Sequence, residues 1–384
     1  MEFHKIFESN KEQSLYGRYI TNTHIEPLLT KLGSDFTVSS SGKSVNGLPI
    51  YTIKVGSGSV KLYMWSQMHG NESTTTKALF DLLNLLNSES ELALSFKNAF
   101  TFCIIPILNP DGAAAYTRVN ANETDLNRDS VALSQPESKL LRQLYEEFRP
   151  DFCFNLHDQR TIFGAGPEGN PATVSFLAPS YNEEREINEV RQQAINVIAA
   201  MNAELQKHIP NQVGRFDDSY NINCIGDMFQ TLGTPTILFE AGHFQQDYER
   251  EVTRKMIFIA YLVALLTISK NEHVSNKTTE YFDIPQNKIV FFDFIYKNIK
   301  TDCAGKQKIT NFAAQYKEIL EDGKINFQAF ISEAGALSGY FGHQEYDFKN
   351  KPITNDKGTT PAINDNANFL VDKNEKIVNG LLKK

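Results

Sequence analysis

Apolar runs alternate with amphipathic segments between residues 58 and 270 of the chain. Four runs predict strands: VKLYMWS (60–66), AFTFCIIPIL (99–108), DFCFNLH (151–157) and TPTILFEAG (234–242). Near-continuous apolar runs of this length are typical of strands that are buried on both faces. Segments with apolar residues at helical spacing separate them and predict helices over residues 73–87, 134–148 and 183–208, and one ending near Ile268. The alternation predicts an α/β fold, with a mostly parallel, mixed sheet and helices on both faces.

The pattern changes after Ile268, where the polar segment SKNEHVSNKTTEYFDIPQNK interrupts the periodicity. We therefore predict a catalytic-size domain over residues 1–270 and a smaller C-terminal region over residues 271–384. KIVFFDFIYKNIK alternates like a strand, whereas ITNFAAQYKEILEDG (309–323) predicts a helix, so this region is expected to be α+β. Residues 349–368 predict a long loop or a partly disordered segment. Nothing in the region indicates its role.

Composition limits the classes of partner. The chain has 384 residues and a net charge of −8, which argues against a nucleic-acid-binding surface or an anionic membrane as partner. The N-terminus has no signal-peptide pattern, and the longest apolar stretch, Met256–Ile268, is shorter than the roughly 20 residues that span a bilayer. We expect a cytoplasmic protein in which that stretch is a buried helix. Protein partners stay open.

Polar side chains follow each of the predicted strands. His69, the turn Asn109–Gly112, His157 and Glu240 all fall at or just beyond a strand's carboxyl end. In open α/β sheets, ligands bind along that edge. Four such positions around one sheet predict a shared site.

Histidine and glutamate side chains near this edge are typical zinc ligands. Catalytic zinc commonly has three protein ligands and one open position. His69 and Glu72 form a short HxxE pair, and His157 is a distant third candidate. His243 stands three residues after Glu240, but residues three apart on a strand point to opposite faces, so we interpret His243 as structural or as a supporting residue. The sequence predicts one zinc ion held by His69, Glu72 and His157.

A segment rich in cationic and amide side chains leaves the same edge of the predicted sheet. It contains Arg118, Asn127 and Arg128. They could form ordinary ion pairs with Asp125 or Asp129. Alternatively they recognise an anion, since a guanidinium matches a carboxylate in a bidentate manner and can stabilise a developing oxyanion.

These elements together resemble the zinc carboxypeptidase family of the carboxypeptidase A/B type. HxxE at 69–72, NPDG at 109–112, Arg118, DLNR at 125–128, His157 after a strand and LFEAG around Glu240 occur in that family's order, over roughly residues 60–245. The resemblance implies a metallocarboxypeptidase that hydrolyses C-terminal peptide bonds through a zinc-activated water.

The resemblance also assigns roles to individual residues. His69, Glu72 and His157 would bind the zinc, Glu240 would be the general base and acid, and Arg118 would stabilise the oxyanion. Asn127 and Arg128 would hold the substrate carboxylate, and Tyr220 is the nearest match to a mobile tyrosine, with its spacing off by about one residue. Asp129 and Asp158 depart from the family pattern, and the residue specificity stays open.

Two other functions compete with this interpretation. A deacylase of N-acyl amino acids, or an amidase acting on cell-wall peptides, would use the same metal site, although NPDG favours the carboxypeptidase branch. A non-catalytic zinc-binding protein would keep the ligands without the chemistry. For the carboxypeptidase and for the deacylase or amidase, the expected substrate is a peptide or acyl-amino acid with a free carboxylate.

Overall fold

The computed structural model describes residues 2–303, 306–372 and 374–383. The chain divides into two compact units. The larger unit comprises Met1–Gln159 and Ala172–Asn287, and the smaller comprises Arg160–Pro171 and Lys288–Lys384.

Helices surround the sheet of the larger unit. They are α1 (Phe3–Asn10), α2 (Asn22–Leu29), α3 (Thr74–Leu86), α4 (Glu91–Ala99), α5 (Pro110–Ala115), α6 (Pro136–Phe148), α7 (Glu189–Leu205), α8 (Ile225–Thr231), α9 (Glu251–Ser269) and α10 (Thr278–Phe282), with 3-10 turns at Leu126–Arg128 and Glu272–Val274.

The sheet of the larger unit has eight strands in the order β1-β2-β4-β3-β5-β9-β7-β8. The first nine strands of the chain are β1 (Thr37–Lys43), β2 (Pro49–Val55), β3 (Val60–Ser66), β4 (Phe100–Ile105), β5 (Phe152–Asp158), β6 (Phe163–Ala165), β7 (Val174–Leu177), β8 (Val213–Arg215) and β9 (Thr236–Ala241). Strand β6 belongs to the smaller unit and the other eight form this sheet. The central strands β4, β3, β5 and β9 are parallel, whereas β1, β2 and β7 pair antiparallel to a neighbour. The predicted mixed α/β sheet is confirmed.

Alternation along the central strands produces two cores. Leu62 and Met64 of β3 belong to a cluster that includes buried residues of α3, α7 and α9. Tyr63 and Trp65 point to the opposite face, where the cluster includes residues of α6 and α8. Because successive strand residues face opposite sides, each face of the sheet is covered by helices.

Helix α9 is a core helix by its burial. It has 19 residues and is long and apolar enough to span a membrane by length and composition, but 78% of its apolar window is buried inside the protein. The expected buried helix is therefore found.

The boundary between the units differs from the predicted one at residue 270. The segment after α9 stays with the larger unit because Tyr281 of α10 is buried in its main core and Asn196 of α7 donates a hydrogen bond to the backbone of His273. The short segment Arg160–Pro171, which follows β5, belongs to the smaller unit.

The smaller unit consists of β-structure. Its strands, with β6, are β10 (Asn287–Ile289), which begins at the boundary, β11 (Phe291–Cys303), β12 (Lys306–Glu321), β13 (Lys324–Gly335), β14 (Phe341–Asp347), β15 (Ile353–Thr354), β16 (Phe369–Val371), β17 (Glu375–Val378) and β18 (Leu381–Lys383). Two four-stranded sheets, β13-β12-β11-β14 and β15-β16-β17-β18, share an aromatic core that includes Phe294, Tyr296 and Phe369.

The predicted helix over residues 309–323 is wrong. This segment forms strand β12, which pairs with β11 and β13, and the described part of the smaller unit contains no helix. Asp322 and Gly323 both have positive φ and join Glu321 to its pairing partner Lys324, as in a two-residue hairpin turn. Pairing on both sides of the strand overrides the helical spacing of its apolar residues. The described residues of the smaller unit are therefore all-β and not α+β, while the short helix α10 belongs to the larger unit.

Candidate metal centre and active site

The loop between β3 and α3 carries His69 and Glu72 in a tight turn. The amide of Glu72 donates to the carbonyl of His69 at 3.1 Å. Gly70 is required here, since a Cβ on it would lie 1.9 Å from the backbone carbon of Gly112. Helix α3 begins two residues after Glu72. The turn therefore brings both side chains to the carboxyl end of β3.

His157 completes a compact cluster with these two residues. Nδ1 of His69 lies 2.8 Å from one carboxylate oxygen of Glu72, and Nδ1 of His157 lies 2.8 Å from the other. The two Nδ1 atoms are 3.1 Å apart, and the three possible ligand atoms lie within 4.8 Å of one another. The structure thus brings together all three residues predicted to bind zinc.

The donor set fits a zinc ion. Two neutral imidazole nitrogens and a carboxylate oxygen are common ligands of zinc in proteins. Both Nδ1 atoms face the same carboxylate, so a cation between them would receive a lone pair from each ring. Nε2 of His157 is buried and has no hydrogen-bond partner. Burial raises the pKa of Glu72, but the two histidines outweigh this effect and lower it, so the carboxylate remains charged.

Asp125 supports the His69 ring from the other side. Its Oδ1 lies 3.0 Å from Nε2 of His69, and it also accepts a hydrogen bond from the amide of Asn127. Burial raises the pKa of Asp125, but the hydrogen bond with His69 and the charges of His69 and Arg118 lower it overall. A carboxylate behind a ligating histidine fixes the tautomer and the orientation of the ring.

Arg118 lies beside the candidate metal ligands. Its Nε and one terminal nitrogen are each 3.1 Å from Oδ2 of Asp125, and the other terminal nitrogen is 3.3 Å from Glu72. Its side chain is 48% exposed, so the guanidinium is accessible from solvent. The ion pair with Asp125 that the sequence suggested is present, and it places the cation at the candidate centre.

The NPDG turn supports the ligand loop without joining the metal cluster. Asn109 accepts a hydrogen bond from the amide of Gly112 and donates one to the carbonyl of Met68. The amide of Asn109 donates to the carbonyl of Gln67 at 3.0 Å. Asp111 accepts bonds from Ser44 and from the amide of Asn46. The motif holds the backbone on which His69 stands.

Glu240 lies next to His157, the third candidate ligand, on the neighbouring strand. His157 of β5 and Glu240 of β9 are Cα partners in the parallel ladder. Oε2 of Glu240 is buried and has no hydrogen-bond partner. Burial raises its pKa well above the usual value, and the charges of Glu72 and Asp158 raise it further, while Arg118 and Arg250 oppose the rise. A buried carboxyl beside a metal cluster is a candidate acid and base.

Asp158 contacts the beginning of α3. Its carboxylate accepts hydrogen bonds from the amides of Thr74 and Thr75, at 2.9 and 3.3 Å, and its own amide donates to Glu72. Asp158, which departs from the family pattern, therefore holds the start of α3 and the carboxylate of Glu72 in place. Its negative charge also acts on Glu240.

Asn127 and Arg128 lie in the 3-10 turn that follows Asp125. The side-chain oxygen of Asn127 accepts a hydrogen bond from the amide of Ile225, at the start of α8. Arg128 is exposed, and its guanidinium contacts the carbonyl of Asn127 and, at 3.2 Å, Sγ of Cys224. The turn connects both residues to Asp125.

Tyr220 and His243 have other contacts. The Tyr220 hydroxyl lies 3.3 Å from Thr231, at the end of α8. His243 is buried beside Tyr248, with ring centroids 4.7 Å apart, and its carbonyl accepts a hydrogen bond from Thr173. The contacts of Tyr220 do not bring it to the metal cluster, and its assignment as a mobile tyrosine stays a prediction.

Comparisons with known proteins find carboxypeptidases. Residues 23–130 match a family model described as zinc carboxypeptidase. A relative from Arabidopsis thaliana, carboxypeptidase SOL1, is 29% identical over 207 residues, which cover 43% of this chain and 41% of the relative. Carboxypeptidase 2 of Trichophyton tonsurans is 28% identical over 110 residues, covering 28% of this chain and 20% of the relative. The matches thus span less than half of these relatives' length.

Solved structures share the fold at low sequence identity. A metallo-carboxypeptidase from Burkholderia cenocepacia has a TM-score of 0.53 and 19% identity, and covers 66% of this chain and 70% of that one. Carboxypeptidase A from Helicoverpa armigera has a TM-score of 0.51 and 17% identity, and covers 71% and 79%. The chain therefore resembles the zinc carboxypeptidases in sequence over residues 23–130 and shares the fold of these solved structures.

Proposed function

We propose that this protein is a zinc-dependent metallocarboxypeptidase, which removes C-terminal residues from peptides that have a free carboxylate. The observation that carries the proposal is the position of Glu240. It is the strand partner of His157, and it has a buried oxygen without a hydrogen-bond partner beside the cluster of His69, Glu72 and His157. Candidate metal ligands and a candidate base are thus adjacent.

The chemistry divides among these residues. His69, Glu72 and His157 would hold one zinc ion, which when bound polarises the scissile carbonyl and makes water more acidic. Glu240 takes a proton from the attacking water on its free oxygen and passes it to the leaving nitrogen.

Arg118 would stabilise the oxyanion, on which negative charge develops during the reaction. Its guanidinium contacts Glu72, so it is already beside the ligand cluster, and its exposure leaves it accessible to a substrate carbonyl. A charged hydrogen-bond donor at such a position stabilises the transition state, in which negative charge has developed, more than it stabilises the ground state.

Asn127 and Arg128 would select substrates with a free C-terminus. The exposed guanidinium of Arg128 is available to a carboxylate, and the turn Leu126–Arg128 connects it to Asp125. A bidentate guanidinium–carboxylate pair gives both energy and geometric specificity. A substrate without that carboxylate loses the interaction.

A direct test compares three substrate classes with the zinc-loaded chain: peptides with free C-termini, the same peptides amidated, and N-acyl amino acids. We expect release of the C-terminal residue from the free peptides and at least a ten-fold lower rate on the amidated ones. Arg128→Ala should reduce this preference. Its matched control is Arg149→Ala, since Arg149 is likewise exposed and lies at the end of α6. Equal cleavage of both peptide forms, or activity on acyl-amino acids alone, would support an amidase or deacylase instead.

A further inference from the structure

Arg250 joins the two strands that carry His157 and Glu240. One terminal nitrogen of its guanidinium donates to the carbonyl of Gln159 at 2.6 Å, and the other donates to the carbonyl of Ala241. Gln159 comes two residues after His157, and Ala241 comes directly after Glu240. A single buried side chain thus holds both strands just beyond their functional residues.

The strand ladder itself ends at this point. The last register pair of β5 and β9 is Asp158 with Ala241, and the amide of Gln159 adds one further bond to the carbonyl of Ala241 at 2.8 Å. Strand ends fray when few bonds hold them. The guanidinium adds two charge-assisted bonds where the ladder stops, and it is 1% exposed, so water does not compete with them.

The backbone of Arg250 is fixed independently of the strands. Arg250 has a positive φ of 58° immediately before α9, and its amide donates to the carbonyl of Asp247. The carboxylate of Asp247 accepts bonds from the amides of Glu251, Val252 and Thr253, at 2.8 to 3.0 Å. The guanidinium therefore projects from the capped end of a buried helix, which is a rigid support for the strand ends.

We propose that Arg250 is a positioning residue that holds Glu240 in line with His157 by fixing the ends of β9 and β5. The catalytic part of this inference rests on the proposed function. A displacement of about 1 Å in a positioned group can cost about a hundred-fold in rate.

The test uses Arg250→Lys in the full zinc-loaded chain. Lysine keeps the charge but cannot bridge two carbonyls with a planar fork. Arg254→Lys is the matched control: Arg254 lies four residues further on, in α9, and is equally buried, but it donates to Asp81 and to the carbonyls of Leu15 and Glu12. Circular dichroism and thermal unfolding establish that each variant is folded.

Two measurements decide the inference. For Arg250→Lys we expect hydrogen exchange at the Gln159 amide to accelerate at least ten-fold, and kcat to fall roughly 100-fold, with little change in KM and with zinc retained. In the Glu240→Gln background, Arg250→Lys should reduce the residual rate by less than three-fold, since a residue that acts through Glu240 loses its effect there. Arg254→Lys should leave exchange at Gln159 and kcat unchanged.

The outcomes separate this inference from the proposed function. Unchanged exchange at Gln159 would overturn the inference, as would faster exchange with a normal kcat, or equal losses with and without Glu240. If the wild-type chain hydrolysed no peptide, the proposed function would fail, and with it the catalytic part of this inference. The exchange measurement would still decide whether Arg250 fixes the strand ends. If Arg250→Lys did not fold, Arg250→Gln, which keeps a planar donor, would be measured in the same way.

Discussion

Nε2 of His69 lies 3.0 Å from Oδ1 of Asp125, on the side of the ring opposite Glu72. This contact fixes which nitrogen of His69 is free to bind a metal. Outer partners of this kind typically change metal affinity by 10- to 100-fold. We predict that Asp125→Asn weakens zinc binding about ten-fold, because the amide keeps an acceptor but loses the charge.

Competition with a chromophoric chelator measures that affinity. The control is Asp129→Asn, four residues along the chain, where the carboxylate accepts bonds from Ser134 and Gln135 instead. Equal zinc affinity in Asp125→Asn and the wild type would show that the contact does not support the metal.

Glu240→Gln should reduce turnover to a small residual rate while one zinc ion stays bound. The amide has nearly the same shape but cannot carry the proton, so we expect kcat to fall by at least 10³-fold with zinc content unchanged. Glu137→Gln is a suitable comparison, because Glu137 is also a buried carboxyl whose pKa is raised by burial, but it binds Asn120 and the amide of Val45. Loss of zinc from Glu240→Gln would recast Glu240 as a ligand.

Arg118→Ala should lower kcat more than it raises KM. Loss of one oxyanion donor typically costs about 10²- to 10³-fold in kcat, or roughly 3–4 kcal/mol. Arg118 also contacts Glu72 and Asp125, so zinc affinity must be measured in parallel by chelator competition. Near-normal kcat in the zinc-loaded variant would remove Arg118 from the proposed chemistry.

The buried His343 should make the smaller unit less stable at acidic pH. Its ring stacks on Phe291 at 4.5 Å, and its Nε2 bonds the carbonyl of Thr161 at 2.8 Å. Burial lowers the pKa of His343 to about 4 from an ordinary 6.5. Between these values the unfolded chain binds more protons than the folded one, so stability falls as the pH drops through this window.

The free energy of unfolding should fall by an amount on the order of 3 kcal/mol, which corresponds to the difference between the pKa values of 6.5 and about 4. Pulse proteolysis in urea, with fragments of residues 288–383 identified by mass spectrometry, measures the unfolding of this unit between pH 7.5 and pH 4.5. His343→Phe keeps a ring against Phe291 and should flatten the pH dependence, whereas His4→Gln, at an exposed position, should not. A steep dependence that persists in His343→Phe would assign it to other groups.

The central sheet could be predicted because its strands are apolar throughout. The runs around Trp65, Cys103, Phe154 and Leu238 are nearly uniform, and each corresponds to an observed strand. The edge strand Thr37–Lys43 gave no such signal, because it is mostly exposed and consists largely of polar residues. Burial on both faces leaves a pattern in the sequence that an edge strand lacks.

The smaller unit could not be predicted in the same way. Its long strand Lys306–Glu321 has apolar residues that also match a helical period, and only pairing with its neighbours decides between the two. The dipeptide Asp322-Gly323 was the available signal, since it is typical of hairpin turns.

The site was predictable for its ligands and less so for their supports. Short spacing brings His69 to Glu72, and strand order brings His157 beside them. Asp125 stands 56 residues after His69, and its contact with that ring depends on how the loop after α5 folds back. Likewise, the carboxylate of Asp158 contacts the start of α3, a relationship that no local spacing encodes.

The zinc content of the purified chain tests the central claim most directly. We predict one zinc ion per wild-type chain by elemental analysis after dialysis, and less than a tenth of that in a His69→Ala/Glu72→Ala/His157→Ala variant. The control variant, His208→Ala, should retain one ion, since His208 pairs with Glu204 on the surface. Equal zinc content in the triple variant and the wild type would contradict the account, because these three side chains would then not be the ligands.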